Sequence, residues 1–441
     1  MINKSTVVTA LLLFAGSAQL SFFGLLPYNY KFIGDAALVA VCFLSLQQGW
    51  LRPLPDRWSK AVFHLASLFV GFSFFIVLYS IVIWGDLFQT LTWSRRWLVS
   101  GVYLMLASSL LIRHLHWKMA KTAFFIFPAF AAAIQYLERS QIVDFAGIRS
   151  NMEWQGGYQV IKMYTPTAVL ITVAFILSVH LFFTRPRLLS GVLLLGWSYV
   201  FFDLINFRGY WIAGLLSIVL TMVCVLLFRG DGFKTVRGKM AATILGAIAL
   251  SLAIGYNSLA ENLEGRIEWL QSAVTDANEG SGNIQWRLEN DASRLNEIWE
   301  GPVWLYKIYG IGFVGEGSSG FERLGFTSET NDSGWVEVLL TGGIPAALVL
   351  LLLWSANIIR FFSLSRRLAT PYMLAGLSTV LATAAMMYTS NYLLWDFGFV
   401  PVFWVQVLAL SSYQKSSIEE AYRFEKSAYY GRQRVYRESF D

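Results

Sequence analysis

The sequence predicts an all-α polytopic membrane protein with about twelve transmembrane helices and one large external loop. Three observations carry that expectation. Hydrophobic residues make up 56% of the 441 and charged residues only 14%, against ~45–50% and ~25% in soluble domains, and the mean hydropathy is +0.52. Water does not solvate that much apolar surface, so lipid must. The apolar residues fall in runs of ~17–25, the length that a hydrocarbon core of ~30 Å demands of a helix. The 17 Trp and 20 Tyr suit a chain that crosses many interfaces, because both favour the headgroup level.

In chain order the expected spans lie near residues 5–25, 32–49, 61–84, 97–115, 119–137, 163–183, 188–206, 210–228, 239–256, 334–357, 370–389 and 394–413. The first run, Thr6 to Leu26, is long for a signal peptide and lacks a clear small-x-small cleavage site, so a retained helix is expected. The chain thus divides into N-terminal helices over 1–256 (about nine), a loop over 257–333, C-terminal helices over 334–413 (about three) and a tail over 414–441. Lys and Arg set the orientation. One side collects Lys4, then Arg52, Arg57 and Lys60, then Arg113, Lys118 and Lys121, then Arg185 and Arg187, then Arg229, Lys234, Arg237 and Lys239, and last Arg360, Arg366 and Arg367. The other side holds only Lys31, Arg95, Arg96, Arg139, Arg149, Lys162 and Arg208 in its short segments. The richer side is cytoplasmic by the positive-inside rule, which puts both termini inside and the 257–333 loop outside.

That loop is strongly acidic, with thirteen Asp and Glu against five Lys and Arg, and it carries Trp269, Trp286, Trp299 and Trp304. Such aromatic content points to a small fold packed on the bundle rather than a linker. Cys42 and Cys224 both fall in apolar runs and imply no disulfide framework. No Walker loop, Rossmann glycine pattern or His/Cys metal spacing occurs, and His64, His114, His116 and His180 all lie toward the cytoplasmic side. No metal, no cofactor and no nucleic-acid partner is therefore expected.

The external cations and carboxylates are the candidate chemistry. Arg208 stands in Asn206-Phe207-Arg208-Gly209-Tyr210-Trp211, a short turn between two spans. An arginine at membrane depth is costly and by default functional, and its planar fork at a helix start suits phosphate. The bland reading is a pair with Asp203 or snorkelling. Arg266, Arg287, Arg294 and Arg323 lie in the acidic loop, where surface pairing is the ordinary fate of arginine. Asn331-Asp332-Ser333-Gly334-Trp335-Val336-Glu337 opens the tenth span. Asp332 or Ser333 is a natural helix cap there, and Glu337 lies one turn inside. Arg95 and Arg96 complete a basic mouth, or else anchor the interface beside Trp93 and Trp97.

Taken together, these stretches resemble the O-antigen ligase/polymerase superfamily, which includes Wzy-type polysaccharide polymerases. Asn206 to Ile212 is similar to its Ser-Arg-Gly-x-Trp-Leu signature, and Trp286-Arg287-Leu288 to its second arginine motif. Ile308 to Phe313 is similar to its Leu-Gly-Val-Gly stretch, and Ser333 to Leu340 followed by Gly343-Ile344 to its His-Ser-Gly-Trp-Leu-Glu-Leu-Leu segment. The motifs cover roughly Asn206 to Gly343. In the ligase branch a histidine precedes the Ser/Asn-Gly pair; here Asp332 stands there, which leans the resemblance toward polymerases.

The resemblance implies a GT-C-like glycosyltransferase of the bacterial inner membrane, its active site facing the periplasm. The implied substrate is a polyprenyl (undecaprenyl) diphosphate-linked glycan, with the lipid bilayer and a chain-length regulator as further partners. It implies Asp332 as base, Arg208 and Arg287 on the diphosphate, and Arg294, Arg95, Arg96, Trp211 and Glu337 as substrate contacts. A ligase moving glycan onto lipid A–core or protein, a transporter or flippase, and a structural subunit of an export complex remain the alternatives.

Overall fold

The computed structural model describes residues 3–20, 31–139, 152–155, 158–161, 165–205, 208–254, 303–313, 334–389 and 399–415, with isolated helical residues between 289 and 300. The protein is a helical membrane protein. Helices α1 (Lys4–Gln19) and α2 (Lys31–Gln47) lie along each other. Helices α3 (Arg57–Trp84) and α4 (Leu87–Leu106) form a tight hairpin. Its turn is two residues long. Gly85 caps α3 in the left-handed region (φ 71°), and the side chain of Asp86 accepts from the backbone N–H of Gln89 at 3.0 Å to start α4.

The short α5 (Leu111–His114) and then α6 (Trp117–Arg139) follow. After them come α7 (Thr165–Thr184), α8 (Leu188–Leu204), α9 (Arg208–Leu227) and α10 (Asp231–Ile254). The six-residue α11 (Trp304–Tyr309) belongs to the acidic loop. Helices α12 (Gly334–Arg367), α13 (Pro371–Thr389) and α14 (399–415) are the last among the described residues.

Every residue of α7 from Thr167 to His180 is buried, as a helix apolar on all sides must be. Helix α13 packs on α7, α9 and α12, and α12 packs on α3. The outward faces are apolar too: Leu78 and Val82 of α3, Leu188 and Leu195 of α8, and Leu227 of α9 are exposed. A water-facing surface would not carry such a belt, whereas a lipid-facing one does. Among the described residues α3, α6, α7, α9 and α12 are long and apolar enough to cross a membrane.

Where they are described, the expected segments are largely helical, but four features differ from expectation. The fourth span begins at Leu87 rather than near 97, because the Gly85-Asp86 turn ends one helix and caps the next without spare residues. Arg95 and Arg96 therefore sit more than two turns inside α4, not at its external start. The fold is not purely α. Strands β1 (Met152–Gln155) and β2 (Tyr158–Ile161) pair antiparallel between α6 and α7, with Met152 opposite Ile161 and Gln155 opposite Tyr158. The Gly-Gly dipeptide between them and the Trp, Tyr, Val and Ile around it are the composition of a tight hairpin. The tenth span is not one straight helix, since α12 breaks at Gly343 (φ 65°, ψ −166°). It also runs on to Arg367, which draws Arg360 from the expected cytoplasmic segment into the helix.

Candidate functional site

The break in α12 has a partner. Residues 310–313 leave α11 as non-helical backbone, with positive φ at Gly310 and Gly312, and lie against it. The backbone N–H of Ile311 donates to the carbonyl of Leu340 at 2.7 Å, and that of Gly312 to the carbonyl of Thr341 at 3.0 Å. The same strap is fastened to the end of α3. Tyr79 OH donates to the Gly310 carbonyl (3.1 Å), Trp84 Nε1 to the Ile311 carbonyl (2.8 Å), and the Phe313 N–H to Ser80 Oγ (2.8 Å). Phe313 then packs edge-on to Trp97 of α4.

Ser80 is four residues short of the end of α3, and Leu340 is six residues past the start of α12. At a 1.5 Å rise these lie ~6 Å and ~9 Å below the helix ends. The strap therefore lies alongside the two helices rather than beyond their ends, and the five hydrogen bonds satisfy backbone polar groups that packing there would otherwise leave unpaired. Glycine makes the approach possible. A Cβ at Gly343 would lie 1.9 Å from the Ile308 carbonyl oxygen, and one at Gly310 (φ 74°) 2.4 Å from the Leu340 oxygen.

Two of the sequence motifs thus meet through their backbones: Ile308 to Phe313 docks on Gly334 to Gly343. Glu337 lies in the first turn of α12, half-buried, and accepts from Thr341 Oγ1 one turn on at 3.2 Å. On the outer side of the strap Tyr306 stacks on Trp84 and Tyr309 packs against Phe75 and Tyr79. Partial burial pushes the Tyr306 phenol up from its ordinary value.

Helix α9 joins the same end of the bundle through α13. Trp335 Nε1 donates to the Ala384 carbonyl (3.2 Å), which ties the start of α12 to the far end of α13, and α13 packs along α9. Arg208 is the first residue of α9; its side chain lies outside the described part. Trp211 is buried with its ring edge-on to Phe202 at 5.5 Å. Asp203, read from the sequence as a partner for Arg208, accepts from Tyr136 OH at 2.9 Å. Asp332, Arg287 and Arg294, with Arg266 and Arg323, lie outside the described residues.

The two arginines of α4 have different settings. Arg95 is only 9% exposed and forms an ion pair through Nε with Oδ2 of Asp35 on α2. Asp35 Oδ1 also accepts from Gln19 Nε2 (2.9 Å), and Gln19 Oε1 accepts from Tyr103 OH (2.6 Å). The guanidinium lies over the Phe32 ring at 4.3 Å. This chain bolts α1, α2 and α4 together, and it gives Arg95 a structural task that the sequence did not suggest. Arg96 rests on the Trp93 ring at 4.9 Å, the neighbour expected for it, although both lie well inside α4 rather than at its start.

Tyr79, Ser80 and Trp84, which hold the strap, were not singled out from the sequence. Their only signal is polar groups near the end of an otherwise apolar run, some 230 residues before their partners. Among the described residues no three His, Cys, Asp or Glu side chains gather as metal ligands. No protein-family model and no curated protein sequence matches this chain.

Proposed function

We propose that this protein is an integral-membrane glycosyltransferase that polymerises polyprenyl-diphosphate-linked oligosaccharide repeats into a surface polysaccharide. It would reside in the bacterial inner membrane with both termini cytoplasmic. The observation that carries the reading is the docking of the 308–313 strap on the broken start of α12. Two stretches that resemble one superfamily, 21 residues apart at their nearest, form one built element at the end of the bundle where α9 begins with Arg208. The apolar belt supports a lipid-carried substrate.

In this reading the reaction is a substitution at the anomeric carbon. The acceptor hydroxyl attacks, the bond from that carbon to the diphosphate oxygen breaks, and polyprenyl diphosphate leaves. Arg208 and Arg287 neutralise the charge growing on the diphosphate, with Arg294 able to substitute. Asp332, two residues before α12, takes the hydroxyl proton. Glu337, Trp211 and Arg96 border the sugar path. Arg95 acts by holding α2 to α4 rather than by touching phosphate, because its Nε is committed to Asp35.

The test is polymer made by cells carrying Arg208→Ala. Loss of long-chain product, with normal membrane accumulation and poor rescue by Arg208→Lys, is expected, since lysine lacks the bidentate fork. Normal-length polymer from the alanine variant would remove Arg208 from the reaction.

A second reading, a transporter, has one observation in its favour: transporter sites often use discontinuous helices at membrane depth, and α12 is one. Here, however, the break is occupied by the protein's own strap. Substrate passage from both sides without new glycosidic bonds would favour the transporter.

A further inference from the structure

The half of α12 beyond the Gly343 break carries a polar cluster that the proposed reaction does not use. Arg360 is wholly buried, seven residues before the helix ends at Arg367, or about 10 Å inside that end. Its Nη2 donates to Oε1 of Gln406 on α14 at 3.1 Å. Its Nε and Nη1 have no hydrogen-bond partner among the described residues. One turn earlier Asn357 is equally buried, with neither Nδ2 nor Oδ1 bonded, and Gln406 Nε2 is likewise unbonded. Among the described residues no carboxylate lies within ion-pair distance of Arg360. Asp56 is the acid whose charge reaches it, but Asp56 Oδ1 accepts from the N–H of Ser59 to cap α3.

A buried guanidinium with no carboxylate in contact is among the costliest groups a membrane protein can hold, and such arginines mark sites. The unbonded atoms define what would complete this one. Four unbonded N–H-bearing nitrogens, Arg360 Nε and Nη1 and Asn357 Nδ2 within one turn of α12 and Nε2 of Gln406, the α14 residue that Arg360 meets, stand against one unbonded acceptor among these three residues, Asn357 Oδ1. A donor-rich cradle around one positive charge selects an anion. Charge balance selects a monovalent one, because a dianion would leave net negative charge in an apolar interior. Packing selects a small one. At Gly376 of α13, a Cβ would come within 2.6 Å of the Phe361 ring and 3.0 Å of Ala409 on α14, so the three helices have little slack here. We propose that Arg360, Asn357 and Gln406 form a binding site for one small monovalent inorganic anion of the halide class, which locks α12 to α14.

The test uses the full chain in lipid nanodiscs, unfolded by heat in sodium gluconate and in sodium chloride or bromide at matched ionic strength. The wild type should unfold ~2 °C higher in halide, the shift expected of a ligand near saturation on a protein of this size. Asn357→Leu removes a donor but keeps the charge, and should lose most of that difference. Equal unfolding temperatures for the wild type in gluconate and halide overturn the proposal, as does an undiminished halide response in Asn357→Leu. If that variant does not accumulate, the wild type still decides. Crystals grown in bromide should show anomalous density within hydrogen-bond reach of Arg360 Nε or Nη1, and ordered water alone at that point refutes the site.

Discussion

Gly343→Ala should separate the strap from α12. The backbone at Gly343 occupies a region of φ and ψ that is essentially closed to residues with a Cβ (φ 65°, ψ −166°), which costs ~1–3 kcal/mol for alanine. The added methyl would also lie 1.9 Å from the Ile308 carbonyl oxygen and 2.6 Å from the Gly310 nitrogen. Both neighbours are backbone and cannot rotate away, so the strap must retreat. Retreat breaks the hydrogen bonds from Ile311 to Leu340 and from Gly312 to Thr341, worth ~1 kcal/mol each. Together these amount to ~3–5 kcal/mol of local stability. Hydrogen exchange reads that directly: the Ile311 and Gly312 amides should exchange ~10²–10³-fold faster in the variant. Polymer synthesis should fall with them if the strap shapes the site. Gly238→Ala is the control, since a Cβ there meets nothing within 4 Å. Unchanged exchange at Ile311 and Gly312 in Gly343→Ala would refute the docking as described.

Asp332→Asn keeps a competent helix cap and removes the proton acceptor, so turnover should drop by ~10²–10⁴ while donor binding survives. Wild-type turnover of the purified variant would leave Asp332 as a cap and make Glu329 the next base to test. Cysteines placed at Ser281 and Ser318, with Cys42 and Cys224 replaced, should react with a membrane-impermeant thiol reagent in intact spheroplasts. Labelling only after lysis would reverse the orientation, and with it the assignment of every residue on that face.

The helical character was legible in the sequence because a span must be apolar over a fixed length, a constraint that α3, α6, α7, α9 and α12 each satisfy alone among the described residues. Their ends were less so. The start of α4 at Leu87 hides behind Gln89, Thr90 and Thr92, which lower the local hydropathy, although Gly85-Asp86 states the turn plainly. The β-hairpin was overlooked although its Gly-Gly signal was present, because hydropathy over long windows averages away a four-residue strand. The ion pair of Arg95 with Asp35 joins residues 60 positions apart in separate spans, and Arg95 alone read as a site or an anchor. The strap is the most instructive case. Its contacts to α12 run backbone to backbone and leave almost no trace in side chains. Glycine at 310, 312 and 343, where a Cβ would strike the opposing chain or Ser80, is what remains visible. The same logic hid the Arg360 cluster, which counted toward the cytoplasmic charge of the sequence until α12 proved long enough to swallow it.

The central claim is that this chain makes glycosidic bonds from a lipid-diphosphate donor. Purified protein in liposomes, supplied with a polyprenyl-diphosphate-linked oligosaccharide repeat and EDTA, tests it in one step. The expected result is a ladder of products longer by whole repeats, with free polyprenyl diphosphate released in proportion and no ladder from Arg208→Ala. A donor that stays monomeric at every protein concentration, or a ladder that forms only after Mg²⁺ or Mn²⁺ is restored, would contradict the account: the first its reaction, the second its reliance on arginines alone.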